Sequence, residues 1–135
     1  MATQWTEALS LGVAEIDEQH KELFRRVDQV LAGLAAGDRS EISRLLDFLG
    51  QYVVVHFGAE EGLMRSRAYP DFPMHKAEHD RFLEDLAALH EEHRAQGPTE
   101  VLVSRVNRQV ADWLRVHILG TDAVLARWLR SHPAS

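Results

Sequence analysis

The strongest constraint on the fold is a set of histidine and acidic residues whose spacing suits helices. Two pairs, His56/Glu60 and His75/His79, are four residues apart. The side chains of such a pair lie on one face of a helix, about 6 Å apart along its axis. The other members of the set are His20, His117 and Asp122. The set falls on four separate stretches, so burying it in one place requires four helices to converge.

Apolar residues recur at steps of three and four in each of the four stretches, as is typical of amphipathic helices. In the first stretch these residues are Ile16, Leu23, Phe24, Val27, Leu31 and Leu34. The predicted helices cover about residues 17–36, 41–66, 73–94 and 100–118. The β-branched tract at 52–55 alone would favour a strand, but the helical period on both sides of it predicts a helix.

Short breaks separate the predicted helices. Gly37 ends the first, Pro73 suits the first turn of the third, and Thr99 is a candidate N-cap for the fourth. The predicted fold is all-α, an antiparallel up-down four-helix bundle. We expect a single domain, 1–135, with a non-helical N-terminal arm (1–16), the bundle (17–118) and a short C-terminal helical segment (119–135).

Composition excludes several classes of protein. The 135 residues include no cysteine, which rules out disulfides, iron–sulfur clusters and thiolate zinc sites. The net charge of −6 argues against nucleic acid as a partner. No apolar run is long enough for membrane insertion, and the N-terminus lacks the features of a secretory signal. We therefore expect a cytoplasmic protein, and the mixed surface charge favours a monomer.

Imidazoles and carboxylates are ligands for iron, zinc or manganese. Taken singly, each residue has an ordinary alternative: His20 fits a hydrogen-bonded core histidine, and His56/Glu60 fits a surface contact. Together, these inward-facing polar groups would each cost about 1–3 kcal/mol if buried without partners, and a shared metal centre satisfies them all. Asp112 and Asp122 are both five residues from His117, so geometry alone does not choose between them.

Four segments carry a resemblance to a known family. The stretches around Gly12–Lys21, His56–Glu61, His75–His79 and Trp113–Asp122 resemble the hemerythrin family over nearly the whole chain. The resemblance implies two iron ions with an oxo or hydroxo bridge. It assigns His75, His79 and His117 to one iron and His20 and His56 to the other. Glu60 and Asp122 would bridge the two irons, which favours Asp122 over Asp112.

The resemblance also implies a function. Three imidazoles and the bridging groups complete the coordination of one iron, whereas the iron with two imidazoles keeps a vacant position for dioxygen. We therefore expect reversible oxygen binding for storage, buffering or delivery, not an enzyme. The resemblance places four apolar residues in an oxygen pocket, although ordinary core packing explains them equally well: Leu23, Trp113, Leu114 and Ile118.

Alternatives remain open at this point. A vacant ferrous site also suits a di-iron redox enzyme, an oxygen- or redox-sensing module could use the same ligands, and zinc could occupy them structurally. An electron donor or an oxygen-consuming enzyme is an expected partner. The five-residue step from His117 to Asp122 implies a local distortion of the last helix, which Gly120 would ease. Glu61 is turned about 100° from Glu60 and is expected to face solvent or the surroundings of the ligands.

Overall fold

The computed structural model describes residues 5–133, apart from the side chains of Ala8, Leu31, Leu34 and Ala35. The expected inward positions of Leu31 and Leu34, and the two ends of the predicted 1–135 domain, lie outside the described residues. Within the described part, all regular structure is helical. This confirms the all-α prediction.

Four long helices make up the fold. The first three are Ala14–Ala35, Ser40–Ser66 and Phe72–Gln96. The fourth helix runs without a break over residues 100–131. Consecutive helices pack against each other and are joined by connections of three to five residues, which reverse the chain direction each time. The result is the predicted antiparallel up-down bundle.

The predicted helix breaks have identifiable physical causes. Gly37 and Gly97 adopt positive φ angles of 85° and 73°, a backbone conformation that costs glycine little. The Thr99 hydroxyl accepts a hydrogen bond from the Leu102 amide at 3.1 Å, as an N-cap does. Pro73 lies in the first turn of the third helix, where its missing N–H costs nothing.

The described N-terminal part of the chain is more helical than the sequence predicted. The N-terminal arm contains a turn of 3-10 helix at Glu7–Leu9, and the first helix begins at Ala14 rather than near residue 17. The Asp17 carboxylate accepts a hydrogen bond from the Leu11 amide at 2.9 Å, which ties the arm to the first helical turn. The segment after 118 is helical, as predicted, and it continues the fourth helix to Ser131.

Two large hydrophobic clusters and a small one around Leu9, Phe24 and Ile118 form the core of the described residues. One large cluster includes Leu46, Leu49, Val53, Phe82 and Leu89, and the other includes Ile16, Met64, Tyr69, Leu125 and Leu129. On the second helix, His56 and Glu60 lie between Val53 of one cluster and Met64 of the other. The polar set is therefore a layer enclosed between two apolar regions, and water has little access to it.

Among residues 5–133, none of the helices combines the length and the hydrophobicity that a bilayer-spanning segment requires.

Candidate metal centre

A widened helical segment brings His117 and Asp122 to the same side of the fourth helix. Residues five apart on an α-helix differ by about 140° in direction. The segment His117–Asp122 is instead a π-helix, in which the backbone hydrogen bond joins residues i and i+5. A second π-helical segment, Asn107–Asp112, precedes it. The predicted distortion of the last helix is therefore present, with Gly120 inside it.

Each acidic residue of the set directs its two oxygens towards different histidines. Glu60 Oε1 lies 3.1 Å from His79 Nε2, and Glu60 Oε2 lies 2.8 Å from His20 Nε2 and 3.4 Å from His56 Nε2. The structure thus brings Glu60 between histidines of two different groups, as a bridging carboxylate would be.

Asp122 repeats this arrangement. Its Oδ1 lies 2.9 Å from His75 Nε2 and 3.2 Å from His117 Nε2, whereas its Oδ2 lies 3.1 Å from His20 Nε2. Two groups of potential ligands result, and they share the two carboxylates. The three-histidine group contains His75, His79 and His117, and the two-histidine group contains His20 and His56.

The buried oxygen and nitrogen atoms of the set would be better satisfied by bound cations than they are by hydrogen bonds to one another. All seven residues are at most 2% exposed. Among the described residues, Glu60 Oε1, His75 Nε2 and both Asp122 oxygens find no hydrogen-bond partner of good geometry. His79 Nε2 and His117 Nε2 face each other at 3.2 Å. Such buried groups would cost about 1–3 kcal/mol each if left unsatisfied, so the cluster is suited to binding metal.

Without a metal, protonation of His20 and His75 balances part of the negative charge of Glu60 and Asp122. Burial alone lowers the pKa of His20, but the attraction of the adjacent Asp122 and Glu60 carboxylates outweighs it and raises that pKa to about 10. The same balance of burial against Asp122 and Glu60 raises the pKa of His75 to about 9. Burial and repulsion from Glu60 act to raise the pKa of Asp122, but the neighbouring histidines hold it below its usual value.

These shifts predict how the stability of the metal-free protein depends on pH. A histidine whose folded-state pKa is raised stabilises the fold fully below its unfolded pKa of about 6.5. That contribution is lost as the pH rises through 9 to 10, the folded values for His75 and His20. We expect urea unfolding of the metal-free protein to show falling stability between pH 7 and 10. A free energy of unfolding that stays constant over this range would contradict the charge arrangement.

Three of the candidate ligand histidines donate hydrogen bonds to side chains outside the candidate set. His56 Nδ1 lies 2.8 Å from the Gln19 amide oxygen, His79 Nδ1 lies 2.9 Å from Glu61, and His117 Nδ1 lies 3.0 Å from Glu78. The Thr121 hydroxyl also donates to Glu78, at 2.9 Å. Such outer partners fix the orientation of the imidazole and strengthen it as a ligand.

Sequence reasoning missed Gln19 and Glu78, although a signal for them exists. Both are adjacent in sequence to a ligand, Gln19 to His20 and Glu78 to His79. One residue is a rotation of about 100° around the helix, which directs these side chains to a ligand of the neighbouring helix. Glu61, next to Glu60, follows the same rule.

The positions of Asp112 and Asp122 agree with the resemblance, which favours Asp122 as the ligand. Asp112 has a side chain that is 56% exposed and pairs with Arg115 at 3.1 Å. Asp122 is buried and lies between the two groups of histidines. A buried acidic residue needs partners that the solvent-facing Asp112 does not need.

Three of the four predicted pocket residues lie together. Leu23, Leu114 and Ile118 line a cavity of about 50 Å³ between the first and fourth helices. The lining also includes polar side chains, among them Asp28 and the half-exposed Arg115. Two of the apolar lining residues are close in sequence to candidate ligands: Leu23 follows His20 by three positions, and Ile118 directly follows His117.

Trp113 is located elsewhere. It is not part of the lining of this cavity. Its ring stacks on the His117 ring, with centroids 4.5 Å apart and planes 10° apart, and on Phe82 at 4.3 Å. Trp113 therefore contacts a candidate ligand directly and holds its ring from one side.

Comparison with known proteins shows similarity in both sequence and fold. The profile of the Hemerythrin HHE cation binding domain matches residues 11–129, a range that contains all seven candidate ligands. The chain belongs to the hemerythrin family. A bacteriohemerythrin of Methylococcus capsulatus is 42% identical over 119 residues, which cover 87% of this chain and 89% of that protein.

Other family members are similar over comparable lengths. A myohemerythrin of Theromyzon tessulatum is 32% identical over 120 residues, which cover 88% of this chain and 87% of that protein. A crystal structure of wild-type hemerythrin superposes with a TM-score of 0.76 at 37% identity, covering 94% of this chain and 97% of that one. The expected family membership and the four-helix fold are both confirmed, and the buried cluster fits a hemerythrin metal site.

Proposed function

We propose that this hemerythrin binds dioxygen reversibly at a non-haem di-iron centre with an oxo or hydroxo bridge. The ligands would be His20, His56, Glu60, His75, His79, His117 and Asp122. The observation that supports this most strongly is the sharing of Glu60 and Asp122 between two unequal groups of histidines. Two ferrous ions held there would supply the electrons with which dioxygen is bound and released.

The unequal number of imidazoles explains where a gas would bind. His75, His79 and His117 offer three nitrogen donors to one metal, whereas His20 and His56 offer two to the other. With both carboxylates shared, the second metal position has one protein donor fewer. A small external ligand would use the position for which the described residues offer no further donor.

The donor set favours carriage over oxidation chemistry. Di-iron proteins of the ferritin-like class hold their metals mainly with glutamates and only two histidines. Here five imidazoles stand against two carboxylates, which is a less anionic set. It therefore stabilises highly oxidised iron less, and this supports an oxygen-binding protein over an enzyme.

The surrounding side chains would protect the site from water. Leu23, Leu114 and Ile118 are each at most 3% exposed and line the cavity between the first and fourth helices, the two helices that carry His20 and His117. An apolar surrounding withholds the water and protons that would let the reduced oxygen leave as hydrogen peroxide and the centre remain oxidised. Because the same cavity reaches the half-exposed Arg115, it is also the route that we propose for the gas.

Metal content and absorption of the aerobically purified protein test the identity of the metal. We expect two irons per chain and near-ultraviolet bands of a bridged diferric centre. A protein that contains two zinc ions when expressed with ample iron, and that has no such bands, would contradict the proposal.

We further propose that the protein is a cytoplasmic monomer and that an electron donor returns its centre to the ferrous form. Sedimentation analysis would test the monomeric state.

Replacing Trp113 with leucine is expected to speed autoxidation of the oxygenated protein severalfold. The substitution removes the ring that stacks on His117 and Phe82, so it loosens a ligand and opens space beside it. Decay of the oxygenated absorption band measures the rate. Trp128→Leu is the matched control, because the Trp128 ring packs against Tyr69 and His132 and stacks on none of the candidate ligands. Equal rates in Trp113→Leu and wild type would remove Trp113 from this role.

A further inference from the structure

The two groups of histidines differ in the charge of their outer hydrogen-bond partners. In the three-histidine group, His79 donates to the Glu61 carboxylate at 2.9 Å and His117 donates to the Glu78 carboxylate at 3.0 Å. Two negative charges therefore support this group from outside. Glu61 is the more enclosed of the two, with 14% of its side chain exposed against 35% for Glu78, so its charge is less screened by solvent.

The two-histidine group has no outer carboxylate contact of this kind among the described residues. His56 donates to the neutral amide oxygen of Gln19 at 2.8 Å. The Nδ1 atoms of one histidine in each group, His20 and His75, have no hydrogen-bond partner within the described chain, so the contrast rests on Gln19 against Glu61 and Glu78. The three-histidine group therefore has both more candidate ligands and more negatively charged outer partners than the two-histidine group.

A carboxylate acceptor raises the basicity of the imidazole that donates to it, so the other ring nitrogen binds metal more strongly. A neutral amide polarises the ring less. We propose that Glu61 and Glu78 set the order of metal loading, so that the first divalent ion occupies the three-histidine group and the second occupies the two-histidine group. These two residues act through the histidines and are positioning residues, not ligands. The inference rests on the proposed two-metal site but is independent of the gas that binds there.

An exchange of two side chains separates the effect of charge from the effect of ligand number. The double variant Gln19→Glu/Glu61→Gln moves one carboxylate from the three-histidine group to the two-histidine group. Net charge, all seven candidate ligands and the size of both side chains are retained. A role in hydrogen bonding alone would not change, because both glutamate and glutamine offer an acceptor oxygen.

The measurement is stepwise binding of Zn²⁺ to the metal-free protein, by calorimetry together with NMR of protein labelled with ¹⁵N-histidine. Because Zn²⁺ is diamagnetic, the ¹⁵N signal of a ring nitrogen moves strongly only when that nitrogen is coordinated, and in the wild type we expect three imidazoles to show this shift with the first equivalent and the other two with the second. In the double variant, the ratio of the second dissociation constant to the first should fall by about 10- to 100-fold, which is the usual effect of an outer partner on metal affinity. Gln19→Glu alone should tighten the second step, a gain that misfolding does not produce.

Three results would overturn the inference: loading in the opposite order, simultaneous shifts of all five imidazoles, or an unchanged ratio in the double variant. Two bound ions with an unchanged ratio would contradict only the role of the outer carboxylates. A wild-type protein that binds fewer than two ions would contradict the proposed two-metal site as well. These outcomes therefore distinguish failure of the inference from failure of the proposed function.

Discussion

Replacing Asp122 with asparagine is expected to reduce the metal content to one ion or fewer per chain and to abolish oxygen binding. Asp122 Oδ1 faces His75 and His117 while Oδ2 faces His20, so both oxygens are needed where two metals share the residue. Asparagine keeps the size of the side chain but replaces one oxygen with an NH₂ group, which is a donor and not a ligand. One of the two groups must therefore lose a ligand.

Asp112→Asn provides the matched control for this prediction. Asp112 is on the same helix and is also five residues from His117, but it is exposed and pairs with Arg115. Exposed ion pairs contribute only about 0–1 kcal/mol, so we expect this variant to retain wild-type iron content and oxygen binding. Metal analysis and visible spectra of both variants measure the effect. Full iron content in Asp122→Asn would show that Asp122 is not a shared ligand.

Removing the metal should lower the midpoint of thermal unfolding by about 10 °C or more. A ligand that binds only the folded state stabilises it by about 4 kcal/mol at a free concentration about 1,000 times its dissociation constant. For a chain of this size, each kcal/mol corresponds to a few degrees. The effect should be large because the seven polar side chains of the cluster are almost fully buried.

Circular dichroism melting of the metal-loaded and the chelator-treated protein measures this difference. The metal-free form should keep its helical signal at low temperature, because the two hydrophobic clusters on either side of the ligand layer are independent of metal. Adding Zn²⁺ should restore much of the lost stability, since zinc accepts imidazole and carboxylate ligands. Identical melting curves with and without metal would show that the buried cluster is satisfied by its own hydrogen bonds.

The helices and the position of the polar layer could be predicted because they follow from periodicity. The apolar period of 3.6 residues fixes which side of each helix faces inward. His56 and Glu60 share that side with Val53 and Met64, which are fully buried. Spacing alone could not identify Asp122, because an ideal α-helix directs Asp112 and Asp122 equally far from His117. The π-helical segment decides the matter, and its position is a property of backbone hydrogen bonding that residue counts do not show.

The outer hydrogen bonds and the location of Trp113 were less accessible from the sequence for a related reason. Gln19 and Glu78 contact ligands of neighbouring helices, so their role depends on packing between helices and not on spacing within one. Trp113 is four residues before His117 and stacks on it, whereas Leu114 and Ile118 form their own pair four residues apart that faces the first helix. Adjacent residues on one helix thus serve different sides of the site.

Titration of the anaerobically reduced, iron-loaded protein with dioxygen tests the central claim most directly. Visible absorption should show an oxygenated species that forms with one dioxygen per pair of irons, and evacuation or flushing with inert gas should restore the reduced spectrum over repeated cycles. Immediate conversion to a diferric product that does not revert, with continuing consumption of oxygen in the presence of reductant, would contradict reversible binding and indicate a redox enzyme instead.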